Sequence, residues 1–82
     1  MVWFFRRNRE RLQMDTFYDN NTAEFVLRLS YPDGRRDVER FTSLARFREG
    51  IQTAEQRLSA DRWTQEGEPV IIPDGFPKRR LN

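Results

Sequence analysis

The sequence predicts a small α+β domain in which an antiparallel meander sheet of three to four strands precedes one helix that packs on one face of the sheet. Apolar and polar residues alternate over residues 11–31, turn-forming residues divide the first half of the chain, and apolar residues recur at helical spacing over residues 44–58. Strands that are segregated before a helix are typical of the α+β class. The predicted order is β-β-β-β-α, followed by an extended C-terminal tail.

The chain has 82 residues, which is enough for one domain and too few for two. We expect residues 1–77 to form that domain and the basic end, residues 78–82, to fray. Aromatic residues make up 13% of the sequence, so a packed core is expected although 34% of the residues are charged.

The first strand is predicted at residues 2–5, where four apolar residues are followed at once by arginines. A secretory signal has its positive charge before a longer apolar run, so this segment is expected to be retained in the fold. We expect it to pair beside residues 11–19 through a loop at residues 6–10. No stretch of the sequence is long and apolar enough for a membrane span, and no membrane association is expected.

The second and third strands are predicted as a hairpin around Asn20 and Asn21, because asparagine tolerates the positive φ that a two-residue turn requires. The expected pairs on the helix-facing side are Thr16 with Phe25, Met14 with Leu27, and Leu12 with Leu29. The other side receives Gln13 against Arg28, Asp15 against Val26, and Phe17 against Glu24. A shift of one residue in the pairing register would place the apolar residues of one strand on the same face as the polar residues of the other.

The fourth strand follows the turn Pro32-Asp33-Gly34, and two registers are possible. A three-residue loop would place Asp37 and Glu39 on the apolar face. A four-residue loop pairs Leu29 with Val38, Arg28 with Glu39, and Val26 with Phe41. Apolar residues then lie opposite apolar residues, and the arginine lies opposite a glutamate. We therefore expect the four-residue loop, with Met14, Leu27, Leu29 and Val38 all beneath the helix.

The helix is predicted to begin after Thr42 or Ser43, either of which can cap it, and to end near residues 60–62. Its apolar stripe consists of Leu44, Phe47, Ile51, Ala54 and Leu58. Phe47 and Ile51 are expected to be nearly fully buried. Gly50 lies inside the helix, where it costs about 1 kcal/mol relative to alanine and permits a close backbone approach.

The tail from residue 63 onward is expected to be mostly irregular. Residues 69–73 are bounded by prolines, so they can form only an edge strand or an extended covering segment.

The chemistry of the sequence argues against an enzyme. It contains no histidine and no cysteine, so the groups that usually titrate near neutral pH are missing. Asp15 and Glu39 are expected to flank Arg28 as a surface ion-pair network rather than an acid–base pair. We expect no metal and no cofactor, and the lack of cysteine favours the cytoplasm.

One candidate interaction face lies on the side of the predicted sheet away from the helix, where Phe17, Val26 and Phe41 gather. A solvated sheet face is normally polar, so these residues should be covered by the N-terminal strand, by the tail or by a second subunit. The leading hypothesis is a non-enzymatic domain that acts through protein–protein contacts, as a homodimer or with another protein.

An alternative function is the binding of single-stranded nucleic acid by the N-terminal segment. Aromatic rings that stack on bases, together with arginines that contact phosphates, are the usual components of such a site. The candidate contacts are Trp3, Phe5, Arg6, Arg7, Arg9 and Arg11. The arginine enrichment also has a simpler explanation, which is codon bias, and acidic residues on the predicted sheet would repel a phosphate backbone.

Overall fold

The computed structural model describes residues 1–71, and the predicted basic end at residues 78–82 lies outside the described residues. The chain forms one antiparallel sheet in the order β4-β3-β2-β1-β5, with one helix packed on it. The predicted α+β class and the β-β-β-β-α order are therefore confirmed. The elements are β1 (Val2–Arg7), β2 (Glu10–Asp19), β3 (Glu24–Ser30), β4 (Arg36–Phe41), α1 (Leu44–Ala60) and β5 (Thr64–Gln65).

β1 and β2 form a hairpin, as the sequence predicts, but the strands are longer and the turn is tighter. The pairing runs from Val2 opposite Asp15 to Arg7 opposite Glu10, which leaves two residues in the turn. Asn8 takes a φ of 56° there, a conformation that asparagine adopts more easily than most residues. Trp3 and Phe5 consequently lie on the helix-facing side.

The β2–β3 hairpin differs from its predicted register by two residues. Met14 lies opposite Leu29 rather than Leu27, and the last pair is Asp19 with Glu24, so the loop has four residues. The Asp19 carboxylate accepts the backbone N–H of Asn21 at 2.9 Å, and Ala23 takes a φ of 57°. Because side chains alternate with a period of two, this slip keeps every residue of the hairpin on its predicted face.

The β3–β4 hairpin has the three-residue loop, and the predicted four-residue loop is wrong. Tyr31 donates its backbone N–H to the carbonyl of Arg35, and Gly34 has a φ of 93°. A three-residue hairpin that ends in a left-handed glycine is a common loop, and the Pro-Asp-Gly sequence fits it.

This change of one residue exchanges the two faces of β4. Leu29 lies opposite Asp37, Leu27 opposite Glu39, and Phe25 opposite Phe41, so these three β4 residues face the helix side. Val38 lies opposite Arg28 on the other side and is 51% exposed, instead of lying beneath α1 as predicted.

The helix begins where the sequence predicts. Ser43 caps it, since the Ser43 side chain accepts a hydrogen bond from the backbone N–H of Arg46 at 3.3 Å. Ala54 and Leu58 are its buried residues. Phe47 and Ile51 are only partly buried, which corrects the expectation that both are nearly fully buried. The helix therefore packs most deeply with its C-terminal half.

The strand β5 and residue Val70 occupy the free edge of β1, and β5 is a strand that the sequence analysis does not predict. Phe5 lies opposite Gln65, and Val2 exchanges two backbone hydrogen bonds of 2.7 Å with Val70. Val70 thus takes an edge position, one of the two arrangements expected for residues 69–73, and residues 72–73 lie outside the described residues.

The core lies between the sheet and α1. Its buried members come from β1, β2, β3, α1 and the residue before β5, and they are Trp3, Phe5, Leu12, Met14, Leu27, Leu29, Ala54, Leu58 and Trp63. The Trp63 indole nitrogen is buried without a hydrogen-bond partner among residues 1–71.

Candidate functional site

The side of the sheet away from α1 is called the open face. It carries side chains from β1 to β4 at alternate positions, and its central residues are Val2, Phe4, Asp15, Phe17, Val26, Arg28, Val38 and Arg40. In the described part of the chain no helix packs on this side.

A partly buried ion pair occupies the middle of the open face. The Arg28 Nε and Nη2 atoms donate to the two Asp15 carboxylate oxygens at 3.1 and 3.2 Å, and Gln13 donates to the same carboxylate at 3.2 Å. The Asp15 side chain is 9% exposed and that of Arg28 is 37% exposed. The predicted contact between Asp15 and Arg28 is confirmed, whereas Glu39 lies on the opposite side of the sheet and does not join it.

Arginine side chains lie over the aromatic rings of the open face. The Arg28 guanidinium is 5.3 Å from the centre of the Phe17 ring, and that of Arg11 is 4.4 Å from the Phe4 ring. Such contacts are attractive because the ring face is electron-rich, and the arginine stems also shield apolar area from water.

The apolar residues of the open face differ widely in exposure. Val26 is 1% exposed and Val2 is 5% exposed, and Phe17 is half-buried. By contrast, Val38 at one edge is 51% exposed and Val70 beside Val2 is 46% exposed. Apolar residues therefore lie on both sides of the Asp15–Arg28 ion pair, and the most accessible of them are at the two margins of the face.

Of the three residues predicted for this interaction face, the structure brings only Phe17 and Val26 together. They lie directly opposite each other on β2 and β3. Phe41 is on the helix side, where its ring is 5.9 Å from that of Phe47. The error follows from the β4 register. Val38 occupies the open face in place of Phe41. The Pro-Asp-Gly sequence, which is typical of a three-residue loop, was the signal that could have identified the correct register.

The predicted nucleic-acid contacts separate into two groups. Trp3 and Phe5 are 8% and 4% exposed in the core, so their rings cannot stack on bases. Three of the arginines are paired with carboxylates: Arg6 and Arg11 with Glu66, and Arg7 with Glu10 and Asp61. Arg9 is exposed and makes no ion pair with any residue in the range 1–71.

Hydrogen bonds from arginine lower the pKa of two carboxylates, Glu66 and Asp19. A hydrogen bond from Arg6 and the charges of Arg6 and Arg11 lower the pKa of Glu66. A hydrogen bond from Arg40 likewise lowers the pKa of Asp19, and the same contact together with one to Glu24 raises the pKa of Arg40. The positive charge of the N-terminal segment is thus locally balanced, which weakens its attraction for phosphates.

Within residues 1–71, no three side chains of the metal-binding types form a group that could hold an ion. The same part of the chain contains no helix with the length and apolar character needed to span a bilayer. No protein-family model, curated protein sequence or solved structure matches this chain.

Proposed function

We propose that this domain acts through protein–protein contacts, and that its open face joins two copies of the chain into a homodimer. The observation that carries the proposal is the composition of that face: valine and phenylalanine residues extend across four strands, although no helix within residues 1–71 covers them. A solvated sheet face is normally polar at these positions.

The chemistry of the open face also resembles that of known interface types. Aromatic residues and arginine are enriched in protein interfaces, and here Arg28 and Arg11 lie against phenylalanine rings. The strands β1 to β4, at about 4.8 Å spacing and with about seven residues each, give a face of about 450 Å². Two such faces provide about 900 Å², close to the lower limit of about 1,000 Å² for a specific interface.

A non-enzymatic role is part of the same proposal, supported by the lack of histidine and cysteine in the sequence. The lack of cysteine supports a cytoplasmic location. Single-stranded nucleic-acid binding is the competing function, and the burial of Trp3 and Phe5 counts against it.

Sedimentation equilibrium with one variant and one matched control tests the homodimer. Val38→Glu places a charge on the open face at a position that is 51% exposed, so the fold should persist. Leu44→Glu changes a residue of similar exposure, 45%, at the start of α1. We expect the wild type and Leu44→Glu to be dimers at high micromolar concentration and Val38→Glu to be a monomer with an unchanged far-UV spectrum.

A monomeric wild type would refute the dimer, as would a Val38→Glu protein that remains dimeric. A mixed-sequence single-stranded oligonucleotide titrated at low and moderate salt separates the competing function. Salt-sensitive binding would favour nucleic acid, since counterions are released when phosphates are neutralised.

A further inference from the structure

A second surface lies on the helix side of the sheet, between α1 and the edge strand β4. Two adjoining cavities of about 200 and 220 Å³ share Leu29, Ala54 and Arg57 in their walls. Leu27 and Leu29 form an apolar floor, and the carboxylates of Asp37 and Glu39 line one side. This groove exists because α1 packs most deeply with Ala54 and Leu58, over strands nearer the centre of the sheet.

The edge of β4 next to this groove has backbone groups that β3 does not use. The backbone N–H of Tyr31 donates to the carbonyl of Arg35, and in an antiparallel pair every second residue forms hydrogen bonds with the partner strand. Counting from Arg35, the backbone groups of Asp37, Glu39 and Phe41 therefore point toward β3. The N–H and C=O groups of Arg36, Val38 and Arg40 therefore point away from the sheet. Such an edge is a template for an added strand.

The charges of β4 exclude a second copy of β4 as that strand. In a two-fold antiparallel pair, one residue lies opposite its own copy. If the central residue is Val38, Asp37 of one copy faces Glu39 of the other. If the central residue is instead one of the charged residues 36, 37, 39 or 40, that residue faces the same charge on its own copy. Each of these registers therefore places like charges directly opposite each other, which is destabilising.

We propose that the β4 edge and the adjoining groove bind an extended peptide segment of another protein that carries two basic residues flanking an apolar one. The basic side chains would lie opposite Asp37 and Glu39, on the helix side of the sheet. Neither carboxylate forms an ion pair within the described part of the chain. The apolar residue would lie opposite Val38 on the open face.

Charge complementarity is strongest at these two carboxylates. Their neighbours across the strand pair are Leu29 and Leu27, so lysine stems can pack on the apolar floor while the amines reach the carboxylates. Acidic residues of the peptide that precede the first basic residue and follow the second would face Arg36 and Arg40. Arg40 already contacts Asp19 and Glu24, so these outer positions contribute less.

The test uses two blocked synthetic peptides with the sequences TEKVKET and TKEVEKT. Both have the same composition and zero net charge, and both read the same in either direction, so the strand direction does not matter. The first places lysine opposite Asp37 and Glu39, and the second places glutamate there. Binding is followed by the backbone amide chemical shifts of the ¹⁵N-labelled protein.

We expect TEKVKET to bind weakly, with a Kd on the order of 0.1–1 mM, because the contact is small. Its largest shifts should be at the amides of Arg36, Val38 and Arg40, and TKEVEKT should bind at least tenfold more weakly. Asp37→Lys with Glu39→Lys should reverse this preference, because the glutamates of TKEVEKT then face cations, and both positions are exposed, so the fold should be kept. Arg57→Gln should tighten the binding of TEKVKET, since it removes a competing cation from the groove.

Equal binding of the two peptides would overturn the proposal, and so would shifts confined to residues outside β4 and the groove. The absence of any shift at several times the expected Kd would also refute it. The preference for TEKVKET does not depend on the homodimer, because Asp37, Glu39 and the groove lie on the helix side of the sheet, away from the open face.

Discussion

The ring of Phe41 lies directly against Gly50 of α1, so that a Cβ atom added at position 50 would be 2.5 Å from the end of the ring. This contact fixes the N-terminal half of the helix over the end of β4. It exists only because the three-residue loop turns Phe41 toward the helix side.

We predict that Gly50→Ala destabilises the protein although alanine favours the helix by about 1 kcal/mol. The added methyl group must displace the Phe41 ring, and overpacking costs about 1–3 kcal/mol. In a Phe41→Leu background the same change should become neutral or stabilising, because the obstructing ring is gone. Urea unfolding of the four proteins measures this coupling; strictly additive effects would show that the two residues do not touch.

The second prediction concerns two leucines of the helix stripe. Leu58 is 4% exposed in the core and Leu44 is 45% exposed. Leu58→Ala should lower the free energy of unfolding by about 2–4 kcal/mol through the cavity it leaves, whereas Leu44→Ala should cost about 0.5 kcal/mol or less. Chemical denaturation of the two variants checks this, and similar losses at both sites would mean that the helix packs with a different face.

The third prediction concerns Trp63, whose indole N–H is buried with no partner in residues 1–71. An unpaired buried donor costs about 1–3 kcal/mol. Trp63→Phe removes that donor and retains an aromatic ring beneath the Arg7 guanidinium, which lies 4.4 Å from the ring centre. We expect the stability to change by about 1 kcal/mol or less, far from the loss of about 3–5 kcal/mol expected for Trp63→Ala. A large loss in the phenylalanine variant would indicate that the N–H is satisfied.

The fourth prediction is a pH dependence that arises from Glu66. The pKa of this carboxylate is lower in the folded protein than in the unfolded chain, because Arg6 donates a hydrogen bond to it. Its contribution to stability is therefore present above the unfolded pKa of about 4.3 and is lost as the pH falls through the folded value.

The melting temperatures of wild type and Glu66→Gln should consequently differ most near neutral pH and converge in acid. Glu49→Gln is the control, since it removes an exposed helix carboxylate that makes no ion pair within residues 1–71. A constant difference between wild type and Glu66→Gln across the acid range would show that the ion pair does not carry the effect.

The fold could be predicted from the sequence because the apolar alternation of residues 11–31 and the stripe from Leu44 to Leu58 are strong local signals. The loops were harder. At Asn20-Asn21 the Asp19 side chain and the left-handed Ala23 select a four-residue loop, and the resulting slip of two residues is harmless to the face assignment.

At Pro32-Asp33-Gly34 the pairing of apolar residues in β4 favoured the wrong loop. Asp37 and Glu39 can lie on the helix side only because α1 covers the end of β4 near Phe41 and leaves both carboxylates exposed, and no local pattern predicts where a helix crosses a sheet. For the same reason the sequence placed Phe41, rather than Val38, on the open face. The pairing of Glu66 with Arg6 and Arg11 joins residues that are far apart in sequence, so it also escaped prediction.

The central claim, a homodimer through the open face, is tested most directly by intermolecular nuclear Overhauser effects in a mixture of ¹³C-labelled and unlabelled chains. Filtered spectra record only proton pairs that belong to different copies. The account predicts cross-peaks between the methyl groups of Val38 and ring protons of the open face, such as those of Phe17. The absence of any intermolecular cross-peak at high protein concentration, or cross-peaks that involve only α1, would contradict it.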